Sequence, residues 1–174
     1  MIGSRWHLAP AIIFYAPAVK ILFKDNIMTS RLNLNKIFPD AYRILIQMDE
    51  AIKKSDINPL YLELIKIRAS QLNGCAYCLS KHTADAVKLG ENPKRIFVIN
   101  AWREAPDWFS GEEKTILHLT EEITQIGVNG LSDLVYDTAV KLFGEEKTAY
   151  LIMAIININS WNRIGVGLHL HPVL

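Results

Sequence analysis

Residues 59–90, PLYLELIKIRASQLNGCAYCLSKHTADAVKLG, decide how this chain folds. A proline at the first position and apolar residues around nearly the whole circumference predict a helix over residues 59–72. Because a helix that is apolar on almost every side must be covered by its neighbours, we expect it at the centre of the protein. Gly74 predicts a turn, and a second helix comes next over residues 75–89 and stops at Gly90. The stretch therefore predicts an antiparallel helix pair.

The rest of the chain has the pattern of further helices. Prolines at first-turn positions, Asn or Ser just before them and glycines at the ends are typical of consecutive helices. Ser110 and Glu113 have the spacing of a capping box, in which each side chain bonds to the backbone N–H of the other residue. We expect an all-α bundle of about seven helices with an irregular tail at its end. The predicted helices span residues 39–54, 59–72, 75–89, 93–102, 111–127, 133–144 and 145–164, and the tail spans 165–174.

Composition limits the kinds of partner. The chain has 174 residues, enough for one domain with a hydrophobic core. Its 19 basic and 18 acidic residues nearly cancel, so no broad positive surface is expected for nucleic acid or for an anionic membrane. The 2 cysteines lie too close together in sequence to cross-link distant parts of the fold. We therefore expect the two cysteines to take part in a reaction rather than to stabilise the fold as a disulfide.

Residues 1–27 differ in character from the rest of the chain, since they are apolar and basic and contain no acidic residue before Asp25. A signal peptide is one interpretation, but Pro10 and Pro17 interrupt its apolar and cleavage regions. The apolar stretch is also broken, and it is shorter than the roughly 20 residues of a membrane span, so no membrane segment is expected. We favour an extension outside the domain, which would then cover residues 28–174, with Met28 as a candidate natural start.

Cys75 and Cys78 form a C-x-x-C motif at the start of a predicted helix. Residues i and i+3 of a helix lie about 5 Å apart, within the range over which two cysteines can form a disulfide. Unpaired N–H groups and the helix dipole lower thiol pKa values at a helix N-terminus, and the thiolate is the reactive form. The motif therefore predicts a pair that can open and close as a disulfide.

Two further residues can move protons at this pair. His82 comes after Cys78 at i+4, so both side chains lie on one helix face, and the imidazole can take the Cys78 proton directly or through one water. Cys78 is for this reason the expected site of activation. Glu63 lies about as far before the turn as His82 lies after it, so an antiparallel pair would bring the carboxylate beside the imidazole. A surface position with a solvated charge is the alternative for Glu63.

The run from Glu63 to His82 resembles the signature of AhpD-like proteins in the carboxymuconolactone decarboxylase superfamily, a glutamate and then, after eleven residues, C-x-x-C-x-x-x-H. The resemblance extends to AWREAPDWFSGEEKTIL and INSWNRIGV further along the chain. It implies the AhpD-like helical fold and reduction of alkyl hydroperoxides. In that activity, Cys78 would attack the peroxide, Cys75 would form the disulfide, and His82 with Glu63 would relay protons.

The resemblance also implies partners. An external dithiol, carried in well-known relatives by a lipoyl-bearing protein, would reduce the disulfide, and no cofactor is expected. Relatives are homo-oligomers, so a trimer or hexamer is expected here. The prototype peroxidase has a histidine immediately before its second cysteine, where this chain has Tyr77. A phenol of ordinary pKa near 10 is a poor base, so we expect dithiol chemistry to be better preserved than high peroxidase efficiency.

Other functions remain open on the sequence alone. Cys75, Cys78 and His82 could ligate zinc, although a closed site needs a fourth ligand that the sequence does not nominate. The two cysteines could instead be packing residues of a catalytically silent helical oligomer. Lactone decarboxylation is disfavoured, because the decarboxylase branch of the superfamily lacks the C-x-x-C pair. A cysteine pair that must be re-reduced after each turnover favours a cytoplasmic location.

Overall fold

A computed structural model describes residues 29–173, and within that range the chain is helical and has no strand. The expectations for residues 1–27 lie outside the described part. Two short 3-10 helices, Ile99–Glu104 and Pro106–Trp108, connect the fifth and sixth α-helices. The α-helices are α1 (Leu34–Ile37), α2 (Pro39–Lys53), α3 (Pro59–Asn73), α4 (Ala76–Lys88), α5 (Pro93–Val98), α6 (Gly111–Thr124), α7 (Ile126–Asn129) and α8 (Asp133–Gly167).

Helix α3 is the centre of the bundle, as its apolar circumference predicts. It packs against α4, α6 and α8, and α6 and α8 also pack against each other. Its start is fixed by Asn58, whose side chain accepts a hydrogen bond from the backbone N–H of Leu60, and by Pro59 in the first turn. Ile65 and Ile67 are almost completely buried. Burial on every side leaves the polar residues of α3 dependent on partners inside the protein.

The turn after α3 allows α4 to fold back along it. Gly74 ends α3 with a φ of 65°, a left-handed conformation that glycine adopts without steric cost. Residues 19 positions apart, Glu63 and His82, are in hydrogen-bond contact across this turn. The chain must double back for these two residues to meet, so the predicted pairing of the two helices is confirmed.

The helix starts and ends predicted for the second half of the chain are present, with two differences. The capping box at the start of α6 is present, with Glu113 N–H donating to Ser110 Oγ at 3.1 Å and Ser110 N–H donating to Glu113 Oε2 at 2.8 Å. Helix α6 ends at Thr124 rather than at Gly127, and the one-turn helix α7 comes after it. The helix predicted over residues 93–102 is α-helical only to Val98, and the 3-10 helices Ile99–Glu104 and Pro106–Trp108 come after it.

Helix α8 contains both of the last two predicted helices. Its backbone breaks at Gly144, with φ 78° and ψ 166°, which is the boundary that the sequence predicts between them. The sequence predicts an irregular tail from Gly165, but the helix continues to Gly167. It continues because no proline occurs before Pro172, and Leu168 N–H still donates to the Ile164 carbonyl at 2.9 Å. No helix of the described residues is long and apolar enough to cross a membrane.

Candidate redox site

The cysteine pair lies at the N-terminus of α4, in the position that the sequence predicts. Cys75 is the N-cap residue, with extended backbone, and its Sγ accepts a hydrogen bond from the backbone N–H of Cys78 at 3.4 Å. Both cysteines are buried and carry free thiols. The helix start therefore directs backbone N–H groups at the Cys75 sulfur, and these groups favour the thiolate.

The two thiols differ in acidity. A hydrogen bond from the Cys78 thiol is the largest influence that lowers the pKa of Cys75, from 9.0 to about 6. Burial raises this pKa, and hydrogen bonds from the backbone N–H groups of Cys78 and Tyr77 lower it further. The same hydrogen bond, together with burial, raises the pKa of Cys78 above its ordinary value. The N-terminus of α4 therefore favours the thiolate of Cys75 over the thiolate of Cys78.

This order of acidity differs from the expectation that Cys78, beside His82, is the activated thiol. The physical reason is local, because the N-cap position gives the helix N–H groups to Cys75. No hydrogen bond joins His82 to either sulfur among the described residues, whereas the backbone N–H of Cys78 donates to the Cys75 sulfur at 3.4 Å. The thiolate is thus stabilised by α4 itself before any proton moves to the imidazole.

Helix α8 covers the back of the pair with polar and small residues. A hydrogen bond from the Asn162 amide lowers the pKa of both thiols. Asn162 also donates to Ser70 Oγ at 2.9 Å and accepts from Asn73 Nδ2 at 3.0 Å, so its orientation is fixed. A Cβ atom on Gly165 would lie 2.8 Å from the Cys75 sulfur, closer than real Cβ contacts allow. The small residue at this position leaves room for the sulfurs.

Glu63 and His82 meet as predicted. Glu63 Oε2 lies 2.8 Å from His82 Nδ1, and Glu63 Oε1 accepts from Lys66 Nζ at 2.9 Å. The alternative of a solvated surface charge for Glu63 is wrong, since only 7 % of the residue is exposed. Burial alone would raise the pKa of this carboxyl, but the hydrogen bonds and charges of His82 and Lys66 hold it below its ordinary value. Glu63 is therefore a buried carboxylate with two partners.

His82 and Cys78 open onto one cavity of about 220 Å³, which is lined by residues of α2, α3, α4 and α8 and by Leu170. Cys75 does not line this cavity, but borders a separate one of about 150 Å³ next to Gly165 and His169. Because His82 Nδ1 is held by Glu63, its other ring nitrogen is the one available to a molecule in the larger cavity. A reactant in that cavity would meet the Cys78 sulfur and the imidazole together.

The zinc alternative lacks its ligand set in this arrangement. Within residues 29–173, the one group of possible metal ligands whose atoms lie within 4.8 Å of one another is Glu63, His82 and Asp85. Cys75 and Cys78 do not join His82 at that spacing. The two carboxylates of the group are already engaged, since Glu63 bonds to Lys66 and Asp85 pairs with Lys81 and Lys88.

Sequence reasoning missed the residues that reach the site from elsewhere. Lys66 lies one helical turn after Glu63, a spacing that signals an ion pair, although not that the pair is buried. Asn162 and Asn157 lie on α8, far from the motif in sequence. Their one visible signal was the set of asparagines in an apolar helix, which predicts buried amides but does not assign their partners.

Comparison with known proteins agrees with the geometry. The model of the carboxymuconolactone decarboxylase family matches residues 39–122. The uncharacterised protein YdfG of Bacillus subtilis (strain 168) is 42% identical over 141 residues, which cover 81% of this chain and 95% of YdfG. The chain belongs to the carboxymuconolactone decarboxylase family. The matched region contains the Glu63 to His82 motif but not Asn162 or Gly165.

Solved structures place the chain in the AhpD-like part of this family. A protein of unknown function from Agrobacterium tumefaciens, proposed to be the antioxidant defence protein AhpD, superposes with a TM-score of 0.80 at 31% identity. The match covers 84% of this chain and all (100%) of that one. An uncharacterised peroxidase-related protein from Silicibacter sp. TM1040 has the same fold, with a TM-score of 0.67 at 19% identity over 81% of this chain and 72% of that one. The predicted AhpD-like helical fold is confirmed.

Proposed function

We propose that this carboxymuconolactone decarboxylase family member is a thiol-dependent peroxidase that reduces organic hydroperoxides through Cys75 and Cys78. The observation that carries the proposal is that Cys78 and His82 open onto one cavity, with the Cys75 sulfur beside Cys78 at the start of α4. A structural cysteine pair needs neither a lowered thiol pKa nor a histidine held by a buried carboxylate. An antioxidant role is consistent with the AhpD-like relatives.

In the first step, Cys78 attacks the terminal oxygen of the hydroperoxide R–O–O–H. The Cys78 proton passes to the Cys75 thiolate, which already accepts its hydrogen bond. The O–O bond breaks, the terminal oxygen stays on Cys78 as a sulfenic acid, and R–O⁻ takes a proton that His82 draws from solvent and delivers as an imidazolium. Glu63, at 2.8 Å from His82 Nδ1, stabilises that imidazolium. The alcohol R–OH then leaves the cavity.

In the second step, Cys75 captures the oxidised sulfur. It loses its proton again, to His82 or to water, and its thiolate attacks the Cys78 sulfenic acid. A disulfide forms and hydroxide leaves, which becomes water when protonated. The low pKa of Cys75 suits this role, because the thiol is ionised at neutral pH. Two thiols and one hydroperoxide thus give one disulfide, one alcohol and one water.

An external dithiol would complete the cycle by thiol–disulfide exchange. Its thiolate would attack Cys78 through the cavity, because Cys75, the thiol of lower pKa, is the better leaving group. We propose a lipoyl-type dithiol, free or on a partner protein, as this reductant. We also propose a homo-oligomer, a trimer or hexamer, in a reducing cytoplasm as the working form.

Steady-state turnover tests the proposal. The protein should reduce cumene hydroperoxide with dihydrolipoamide, and thioredoxin-like and glutathione donors should be compared in parallel. Cys78→Ser should abolish turnover, whereas Cys75→Ser should stop after one oxidation at a sulfenic acid or mixed disulfide. If both variants turn over like the wild type, or if the wild type consumes no hydroperoxide with any donor, the peroxidase proposal is wrong.

A further inference from the structure

Lys66 is a buried lysine beside the Glu63–His82 pair. Its side chain is 6 % exposed, and its Nζ lies 2.9 Å from Glu63 Oε1. The other oxygen of the same carboxylate, Oε2, lies 2.8 Å from His82 Nδ1. One buried carboxylate is therefore divided between an ammonium group and an imidazole. Lys66 occupies an unspecified position of the motif that runs from Glu63 to His82, and the reaction steps above give it no role.

Asp49 is a second carboxylate next to this lysine. It lies on α2, where its Oδ1 is 3.8 Å from Lys66 Nζ and its Oδ2 is 2.9 Å from Lys53 Nζ. A buried ammonium group keeps its charge only when carboxylates lie near it, and Lys66 has two of them. Asp49, Lys66 and Glu63 thus form a row of alternating charges that ends at the imidazole.

The other charged groups around His82 form a pair of their own on α4. Lys81 Nζ lies 2.9 Å from Asp85 Oδ2, and an Asp85 oxygen lies within 4.8 Å of a His82 ring nitrogen. The residues with which α8 lines the cavity are uncharged. The remaining titratable groups of the cavity wall are the thiol of Cys78 and the phenols of Tyr42 and Tyr77. Because Lys81 and Asp85 oppose each other, the charge row is the main electrostatic influence on the imidazole.

The charge row affects how firmly the imidazole holds a proton. A carboxylate beside an imidazole favours the protonated ring. A ring that never released its proton could not deliver one to a reactant. A nearby ammonium group has the opposite effect, because like charges repel, and Lys66 lies at the other oxygen of the same carboxylate. Lys66 therefore weakens the hold of the Glu63–His82 pair on a proton.

We propose that Lys66 is a positioning residue for proton transfer at His82, and that Asp49 limits its effect by neutralising part of its charge. The inference rests on the proposed peroxidase function and adds two residues to that site. Lys66 holds one oxygen of Glu63, so the other oxygen stays directed at His82 Nδ1. In the first step His82 takes a proton from solvent and passes it to the alkoxide, while Lys66 keeps its own proton throughout.

NMR of the histidine rings in the reduced protein, without peroxide, tests this assignment. Histidine labelled with ¹³C gives a ring signal for each of the 5 histidines, and the signal missing in His82→Gln belongs to His82. The variants are Lys66→Met, which removes the ammonium group and keeps an unbranched chain, and Asp49→Asn, which removes a negative charge. Lys147→Met is the matched control, because Lys147 also pairs with a carboxylate, that of Asp56 at 2.8 Å, and does not line the cavity.

The two variants should move the pH midpoint of the His82 signal in opposite directions. At an effective dielectric constant of about 20, two like charges roughly 7 Å apart shift a proton equilibrium by about 1–2 pH units. The midpoint should therefore rise by about one pH unit or more in Lys66→Met. It should fall by a smaller amount in Asp49→Asn, because Asp49 is farther from the ring and its side chain is 28 % exposed. Lys147→Met should have the wild-type midpoint.

The opposite signs distinguish an electrostatic role from a structural one, because loss of packing alone would not move the two variants apart. Equal midpoints in wild type and Lys66→Met would overturn the assignment of Lys66. A rise in Asp49→Asn would overturn the role of Asp49. If Lys66→Met does not fold, Asp49→Asn decides the question, since a lowered midpoint supports the charge row and an unchanged one overturns it.

Oxidation of the thiols by cumene hydroperoxide, measured against pH, separates these failures from failure of the proposed function. In Lys66→Met, the part of the pH–rate profile that reports on His82 should move with the NMR midpoint. If the midpoints move as expected but the wild-type thiols are never oxidised, the charge row acts on His82 and the peroxidase proposal is wrong. If the thiols are oxidised but the midpoints do not move, only the assignment of Lys66 and Asp49 is wrong.

Discussion

Replacing Cys78 with alanine should make Cys75 a much weaker acid. The hydrogen bond from the Cys78 thiol is the largest influence that lowers the pKa of Cys75 to about 6. A hydrogen bond to a charged group is worth about 1.5–3 kcal/mol. Because about 1.4 kcal/mol corresponds to a factor of ten in an equilibrium constant, the acid dissociation constant of Cys75 should fall about 10- to 100-fold in Cys78→Ala. Cys78→Ser keeps an O–H donor and should show a smaller fall.

The assay is the ultraviolet absorbance of the thiolate, recorded as the pH is raised. It needs no reagent to reach the sulfur, which matters because Cys75 is 1 % exposed. Wild type should show the first thiolate appearing with a midpoint near pH 6, the value that the hydrogen-bonded pair gives. Cys78→Ala should form its thiolate at clearly higher pH, with Cys78→Ser between the two.

Cys75→Ser identifies the residue that carries the charge. This variant should show no thiolate near pH 6, because the remaining thiol of Cys78 lacks the N-cap position and stays buried. A transition that persists near pH 6 in Cys75→Ser would place the charge on Cys78. An unshifted transition in Cys78→Ala would mean that the N–H groups of α4 stabilise the thiolate without help from the second thiol. Either result would show that the thiol of Cys78 does not stabilise a thiolate on Cys75.

Two further substitutions test the surroundings of the pair. Glu63→Gln leaves Lys66 and His82 without their buried carboxylate, so the free energy of unfolding in urea at neutral pH should fall by about 3 kcal/mol. The folded protein lowers the pKa of Glu63 below its ordinary value of 4.5. The difference in unfolding free energy between wild type and Glu63→Gln should therefore be full above pH 4.5 and shrink as the pH falls below it. A difference that stays constant with pH would contradict the buried pair. Gly165→Ala places a methyl group 2.8 Å from a sulfur, and overpacking of about 1–3 kcal/mol should outweigh the roughly 1 kcal/mol gained in helix propensity. Gly167→Ala, with nothing within 4 Å, is the control and should be neutral or slightly stabilising; equal behaviour of the two variants would show that the sulfurs do not need the space.

The parts of the site that the sequence predicts are those set by local spacing. The C-x-x-C motif, His82 and the turn at Gly74 all lie within two consecutive helices and the turn between them. Helical periodicity and one glycine therefore suffice to bring Glu63 to His82. The all-α fold is predicted from caps and apolar stripes in the same way, and the break at Gly144 lies at a predicted boundary.

The missed parts depend on how separate helices face one another. Asn162 reaches Ser70 across 92 positions of sequence, and no periodicity within α8 indicates that the two side chains meet. The order of acidity was also not predictable, because it depends on which cysteine takes the N-cap position.

One equivalent of cumene hydroperoxide, added to the fully reduced wild-type protein without any reductant, shows whether the thiol pair itself reduces a hydroperoxide. We expect the intact mass to fall by two hydrogen atoms, both thiols to disappear, and one peptide to contain Cys75 joined to Cys78. If both thiols remain titratable, or if oxidation gives only disulfides between separate chains, the pair does not perform this chemistry.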